Sequence, residues 1–282
     1  MNKPPSAAEL IARKYGADGA DAVHAYQGLR FEKHIRLMRE HMGLRPGICV
    51  LDVGCGTGAL LVELAKAGAI VTGIDTFEEA DGIDRDIAGA RLRENEVEAK
   101  IIKGTASALP FPDGSFELAV NIGMLEHIPP DQRPGMLQEI FRVVRPGGHL
   151  FLLAGPTRAT PFDQHIPGHP FPNWLSRDRK LELSRKAGRR QWLAIPWGIS
   201  RRELREALPE ASFRSLYAAF FALDGGQPLG PFRKSPFWLL AWAKRRLRLH
   251  PLFGIAAGLF YFVHQEHCHI LAIHKPARSE CH

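Results

Sequence analysis

Two periodicities share this chain. Short apolar runs alternate with stretches in which apolar residues return every third or fourth position. The first pattern fits buried strands and the second amphipathic helices. Residues 6 to 15 and 27 to 42 are predicted helices, the second with Phe31, Ile35 and Met38 on one face. Gly43 and Pro46-Gly47 stop it. Ile48 to Val53 follows as a buried strand, Ala59 to Ala65 as a helix, and Ala69 to Ile74 as a second strand ending at Asp75. Glu78 to Glu96 has helix-forming Ala, Arg and Glu, and Val97 to Ile102 is the third predicted strand. A fourth strand begins at Leu118. The helix Pro130 to Val144 turns Met136, Leu137, Ile140 and Val144 inward, and Arg145-Pro146-Gly147-Gly148 ends it. His149 to Ala154 is the fifth strand, Arg201 to Leu208 a short helix, and Phe213 to Phe221 and His267 to Ile273 the last two strands. Strands that alternate with helices in this way predict an α/β fold with a mostly parallel sheet.

The apolar content, 45%, is enough for a full core. No signal peptide is expected at the amino terminus, and no apolar stretch has the length of a spanning helix. Cys49, Cys55, Cys268 and Cys281 show no framework spacing, so a reduced, cytoplasmic compartment is expected. Charge is uneven. From Arg177 to Arg248, 17 Lys/Arg stand against 6 Asp/Glu, whereas the whole chain is only +7. The basic character thus belongs to the carboxy-terminal part, and a basic face fits an anionic partner: a membrane surface, nucleic acid or a phosphorylated substrate. A solvated face that aids solubility accounts for it as well.

Candidate chemistry starts at Val50-Leu51-Asp52-Val53-Gly54-Cys55-Gly56-Thr57-Gly58. The glycines fall on a strand-to-helix turn, where the chain turns tightly and a ligand approaches bare backbone. The helix behind them offers free N–H groups to a polar ligand. Asp75, at the end of the next strand, is placed to accept both ribose hydroxyls of a nucleoside. The stretch resembles motif I of the class I S-adenosylmethionine (SAM) methyltransferases. NAD enzymes are the competing reading, but their fingerprint is G-x-G-x-x-G and this one is D-x-G-x-G-x-G.

The resemblance extends from about residue 48 to 155. Gly104 to Glu117 is similar to the adenine-cradling loop of methyltransferases of ubiquinone and menaquinone biosynthesis, with Thr105 where those enzymes usually carry Asp. Asn121 to Met124, the Glu126-His127 pair and the Arg-Pro-Gly-Gly turn also match the family. The resemblance implies a Rossmann-like, doubly wound seven-stranded sheet with its last strand antiparallel, plus helical cap insertions. It implies SAM as cofactor, held by Asp52, Gly54, Cys55, Gly56, Gly58, Asp75, Thr76, Thr105, Ala106 and Asn121. Tyr15 and Tyr26 are placed to contact it, with core packing as the plainer role. Methyl transfer to an alcohol also needs a proton acceptor, and His127 and His165 are the candidates. The plain role of His127 is a hydrogen bond that holds its loop; that of His165 is ordinary loop polarity. Glu266-His267-Cys268-His269 has metal-like residues, but on a strand His267 and His269 face away from Cys268, so no metal site is expected.

The expected organisation is a SAM-binding core with amino-terminal helices over 1–155, a cap insertion over 156–198, and a helix and strand pair over 199–282. The last part encloses an apolar and basic insertion, 222–266. Within it, residues 232 to 264 place Lys244, Arg245, Arg246 and Arg248 between two apolar blocks, a pattern suited to an anionic membrane surface. A substrate lid or subunit contact fits the same stretch. The expected reaction is methylation, at oxygen, of a small or lipid-linked acceptor such as a saccharide or secondary metabolite. An isoprenoid quinone ring is the alternative substrate, and an RNA-binding methyltransferase or non-catalytic RNA-binding SAM protein the alternative class. Nucleic acid is the less favoured partner, and the expected place is the cytoplasm, peripheral at the inner membrane face.

Overall fold

The computed structural model describes residues 4–16, 31–78, 82–155, 175–186, 199–216, 219 and 269–277. They form one seven-stranded sheet. Its strands are β1 (Cys49–Val53), β2 (Ile70–Asp75), β3 (Lys100–Lys103), β4 (Phe116–Ile122), β5 (Val144–Ala154), β6 (Ser212–Ser215) and β7 (His269–His274). The order across the sheet is β3-β2-β1-β4-β5-β7-β6. β1 to β5 pair in parallel, and β7 runs antiparallel between β5 and β6. This is the doubly wound sheet with an antiparallel last strand that the resemblance implied. Tyr26, His165, His267, Cys268, Cys281 and the insertion 222–266 lie outside the described residues.

Alternate strand residues feed two cores, as period-two pleating requires. Val50, Leu118, Val120, Phe151 and Ala272 face helix α2 (residues 31–42) and α3 (Ala59–Lys66). Leu51, Ala119, Leu150, Leu152 and Ile273 face α5 (Arg133–Val143) and α7 (Arg201–Ala207). The first layer also holds α4 (Ile83–Glu94), and on it lies α1 (Ala7–Tyr15), packed through Leu10, Ile11, Ile87 and Ala90. Ser6 caps α1 in a reciprocal box with Glu9, which satisfies N–H groups that helix geometry leaves open.

Several boundaries differ from the sequence reading. The second crossover helix ends at Glu94 and β3 starts at Lys100. β6 stops at Ser215, well short of Phe221. Val144 is not the last inward residue of a helix but the first of β5. Arg145-Pro146-Gly147-Gly148 does not stand between helix and strand. It bulges within β5, because Phe116 pairs with Val144 while Leu118 pairs with His149. Gly147 has φ +78°, and a Cβ on Gly148 would meet the Glu117 carbonyl oxygen at 2.7 Å. Glycine is required there by crowding as much as by turning. Of the cap, the described part is α6 (Arg177–Lys186).

The order of strands fixes where a ligand sits. From β1 the chain steps outward through β2 and β3, then returns to β4 on the other side of β1. The gap beyond the carboxyl ends of β1 and β4 is the switch point of an open α/β sheet. β5 and β6 both run antiparallel to β7, so their carboxyl ends lie at this same edge. The described strands that precede the two expected insertions, 156–198 and 222–266, therefore end on the side of that gap. None of the described helices is long and apolar enough to cross a membrane.

One lysine closes the α5–β5 junction. Lys275 Nζ donates to the carbonyls of Phe141 at 2.8 Å and Val144 at 2.7 Å, which satisfies acceptors left open at the end of α5. Lys275→Met is expected to lower stability by about 1–3 kcal/mol, the cost of charged hydrogen bonds lost from a partly buried site. Urea denaturation checks it, with an unchanged midpoint as the contrary result.

Candidate functional site

At the switch point lies an open cleft of about 250 Å³. Asp52, Gly54, Cys55, Gly56 and Thr57 form its floor, Ile122 one wall, and Lys14, Tyr15, Phe31 and Asp84 the side toward the first helices. The turn after β1 is left-handed at each glycine, with φ of +80° at Gly54, +46° at Gly56 and +72° at Gly58. The three serve different ends. A Cβ on Gly54 would lie 2.7 Å from Met124 Sδ, and one on Gly58 would lie 2.7 Å from Ala88 Cβ on α4. These two allow close packing. A Cβ on Gly56 would meet nothing within 4 Å. Gly56 is thus the one of the three with open space beside its backbone.

Asp75 fixes that backbone. Its Oδ2 accepts from the Gly56 N–H at 3.0 Å and its Oδ1 from the Phe77 N–H at 2.8 Å. Phe77 is buried and left-handed, φ +51°, a conformation rare for a bulky residue, and the bond from its own N–H to Asp75 helps hold it. Each carboxylate oxygen still has acceptor capacity. Thr76, between them, is exposed.

Asp52 lines the cleft yet is only 3% exposed. Burial, with the charge of Asp75 second, raises its carboxyl to about 7. Burial, then the two aspartates, pushes the Cys55 thiol up as well, so Cys55 is a neutral packing group and not a nucleophile. Opposite stands an ion pair. Lys14 Nζ bonds both oxygens of Asp84 at 2.6 Å and lies 5.0 Å from the centre of the Tyr15 ring. Burial pulls the Lys14 pKa down, but the hydrogen bond and charge of Asp84 outweigh it and the net shift is upward. The cleft therefore presents two buried carboxylates and an ammonium, a match for a zwitterion.

The other predicted residues are placed differently. Gly58, Asp75, Thr76, Thr105, Ala106, Asn121 and His127 are not among the residues lining the cleft. Asn121 is 1% exposed, and its Nδ2 donates to the Val53 carbonyl at 2.9 Å. It braces the end of β4 against β1. Thr105 Oγ1 accepts from the Ser107 N–H at 3.3 Å and lies 2.8 Å from the Ser107 hydroxyl, so its oxygen shapes its own loop. Ala106 packs against the α5-side core. That loop is tied to α5: Glu139 Oε1 accepts from the Leu109 N–H at 2.8 Å, and Arg142 donates to the carbonyls of Leu109 at 3.2 Å and Phe111 at 2.9 Å. His127 ends a 3₁₀ turn, Leu125–His127, and its N–H donates to the Met124 carbonyl.

Sequence reading missed Lys14, Phe31, Thr57 and Asp84 as cleft residues and gave Tyr15 a core role first. Tyr15 does both, packing on Ile87 and Ala90 while lining the cleft. Lys14 and Asp84 are 70 residues apart, and no local spacing marks them as a pair.

A family model described as "Methyltransferase domain" matches residues 50–148. The chain is 33% identical to an uncharacterized methyltransferase of Synechocystis sp., over 51% of this chain and 58% of the relative. It is 36% identical to a sterol 24-C-methyltransferase of Gibberella zeae, over 41% and 30%. It is 39% identical to a ubiquinone biosynthesis O-methyltransferase of Pseudomonas fluorescens, over 40% and 46%. The chain spans about a third to three fifths of the length of these curated relatives.

Asp52 gives the cleft a pH dependence. Its folded pKa of about 7 exceeds the unfolded value near 4, so the folded state holds a proton that the unfolded chain loses. Stability due to Asp52 therefore falls as pH rises from about 4 to about 7, by about 1.4 kcal/mol per unit of difference at most. Asp52→Asn is expected to melt higher than wild type at about pH 8 and to lose that advantage near pH 4. Melting curves at the two pH values test this, and a constant difference would contradict it.

Proposed function

The chain belongs to the class I S-adenosylmethionine-dependent methyltransferases, and on that premise we propose that it methylates a small or lipid-linked acceptor at oxygen. A saccharide or secondary metabolite is the acceptor class. The observation that carries the reading is the pairing of Gly56, whose backbone borders open space, with Asp75, which holds that backbone.

When bound, SAM supplies a methyl group on a positively charged sulfur. In this proposal the protein's own groups do the rest. The free acceptor capacity of Asp75 takes the ribose hydroxyls. Asp52 receives the ammonium of the methionine part, and Lys14 turns its N–H groups from Asp84 toward the carboxylate. The loop from Thr105 to Leu109 carries the adenine, with the Ala106 N–H as donor. Glu139 and Arg142 position that loop without touching the ligand. Thr76 flanks the ribose, and Asn121 sets the height of β4 at the cleft mouth.

Transfer to a hydroxyl needs alignment and removal of one proton. His127, just past β4, is the proposed proton acceptor; His165, on the cap insertion, is the second candidate. The insertions follow the carboxyl ends of β5 and β6 in the chain, which suits them to the acceptor side. Residues 232 to 264 are proposed to dock on an anionic membrane surface and admit a lipophilic acceptor. The alternative acceptor is an isoprenoid quinone ring, favoured by the match to the ubiquinone biosynthesis O-methyltransferase.

Asp75→Ala is expected to weaken SAM by about 1.5–3 kcal/mol, roughly 10- to 150-fold, through loss of charge-assisted bonds. Calorimetry that finds wild-type affinity in this variant rejects the ribose assignment. With radiolabelled SAM and lipid or sugar extracts as acceptor source, His127→Ala is expected to lower turnover about 10²–10⁴-fold while SAM still binds. Undiminished turnover removes His127 from the proposal.

A further inference from the structure

A second, smaller concavity lies on the α7 side of the sheet. Arg201, Leu204 and Arg205 of α7, Phe213 and Ser215 of β6 and Leu271 of β7 enclose it. It holds about 30 Å³, room for about two water-sized groups. Its floor is apolar, with Leu204 and Leu271 buried, and its rim is cationic.

Arg201 and Arg205 stand one turn apart on α7, on the same helix face. Neither has an acidic partner among the described residues, although α7 carries two glutamates. Glu203 is taken by the buried Arg133 at 2.9 Å, and Glu206 by Arg202 at 2.7 Å. Arg201 Nε is shut off from solvent and donates to nothing among the described residues. A buried guanidinium N–H without an acceptor is costly, and two like charges one turn apart repel. One anion with several acceptor oxygens relieves the repulsion between the two guanidinium groups, and the planar fork of arginine suits phosphate. The Ser215 hydroxyl adds a donor that neither charge nor helix geometry demands.

The place of this concavity links it to methyl transfer. Ser215 pairs with Leu271, Leu271 with Leu152, and Leu152 with Asn121. Its Ser215 end thus lies at the carboxyl edge, level with the end of β4. β6 is three strands from β4, about 14 Å at ordinary strand spacing. We infer that Arg201, Arg205 and Ser215 form a phosphate subsite for the methyl acceptor, an inference that rests on the acceptor reading above. The acceptor class is then an elongated molecule with a terminal phosphate or diphosphate about 14 Å from the atom that takes the methyl group. A chain of sugar or prenyl units carried on a diphosphate has that reach.

The test uses the full chain saturated with SAM and titrated with inorganic pyrophosphate in a calorimeter. The subsite requires pyrophosphate binding that weakens at least tenfold in the double variant R201Q/R205Q and not in R202Q, which removes a charge from the same helix. Equal binding by wild type and the double variant overturns the subsite, as do equal losses in R201Q/R205Q and R202Q. Pyrophosphate binding untouched by the double change, with release from phosphatidylglycerol vesicles in its place, assigns the arginines to a membrane surface and also overturns it. SAM affinity in the same samples separates the two readings. SAM binding without pyrophosphate binding sinks the subsite alone, whereas a wild type that binds no SAM sinks the methyl-transfer reading and the acceptor role of the subsite with it.

Discussion

The chain leaving β1 must reverse into α3 through a gap bounded by Met124 on one side and Ala88 of α4 on the other. A side chain at Gly54 or Gly58 would fall inside van der Waals contact of these neighbours, so the turn has no room to be anything but glycine at both ends. Between them Gly56 lies free of contact, and its N–H is drawn to Asp75. The same carboxylate stabilises the left-handed Phe77 beyond it. One acid therefore holds two chain segments, of which the Gly56 turn lines the cleft. Beside them, Asn121 ties the end of β4 to that of β1 by bonding back to Val53.

The sheet distributes the remaining tasks. β1 and β4 end at the cleft, while α1 reaches over it from a distant part of the chain through Lys14, paired with Asp84 of α4. α5 governs the Thr105–Leu109 loop from below through Glu139 and Arg142. β5 and β6 deliver the chain to the same edge before each insertion. In the proposed function, cofactor contacts and acceptor contacts come from opposite halves of the sheet, an arrangement in which the acceptor side can vary over an unchanged cofactor side. The family match, residues 50–148, falls on the first half and on β4 and α5.

The sheet and the glycine turn were legible because both are written in local periodicity. A largely apolar five-residue strand, three glycines and a helical pattern lie within one short stretch, and the acid follows at the end of the next strand. The bulge at Arg145–Gly148 was not, because its cause is the mismatch in pairing with Phe116 and Leu118, which only the register shows. Thr105 and Asn121, read as ligand contacts from the family pattern, also bond through their side chains to Ser107 and Val53, bonds that no local pattern announces. Lys14 and Asp84 carry no shared signal along the chain. The basic excess from Arg177 to Arg248 was visible as a total, but which arginines lack acids depends on Arg133 and Arg202 having claimed Glu203 and Glu206.

The central claim is that the cleft between β1, β4 and α1 is the cofactor site. The most direct measurement is a crystal structure of the full chain grown with S-adenosylhomocysteine. The account predicts the ribose against Asp75, the amino acid portion between Asp52 and Lys14 with the Lys14–Asp84 bond opened, and the adenine against Thr105 to Leu109. Density for the ligand elsewhere, or a ligand in the cleft with Asp75 turned away from its ribose, would contradict it.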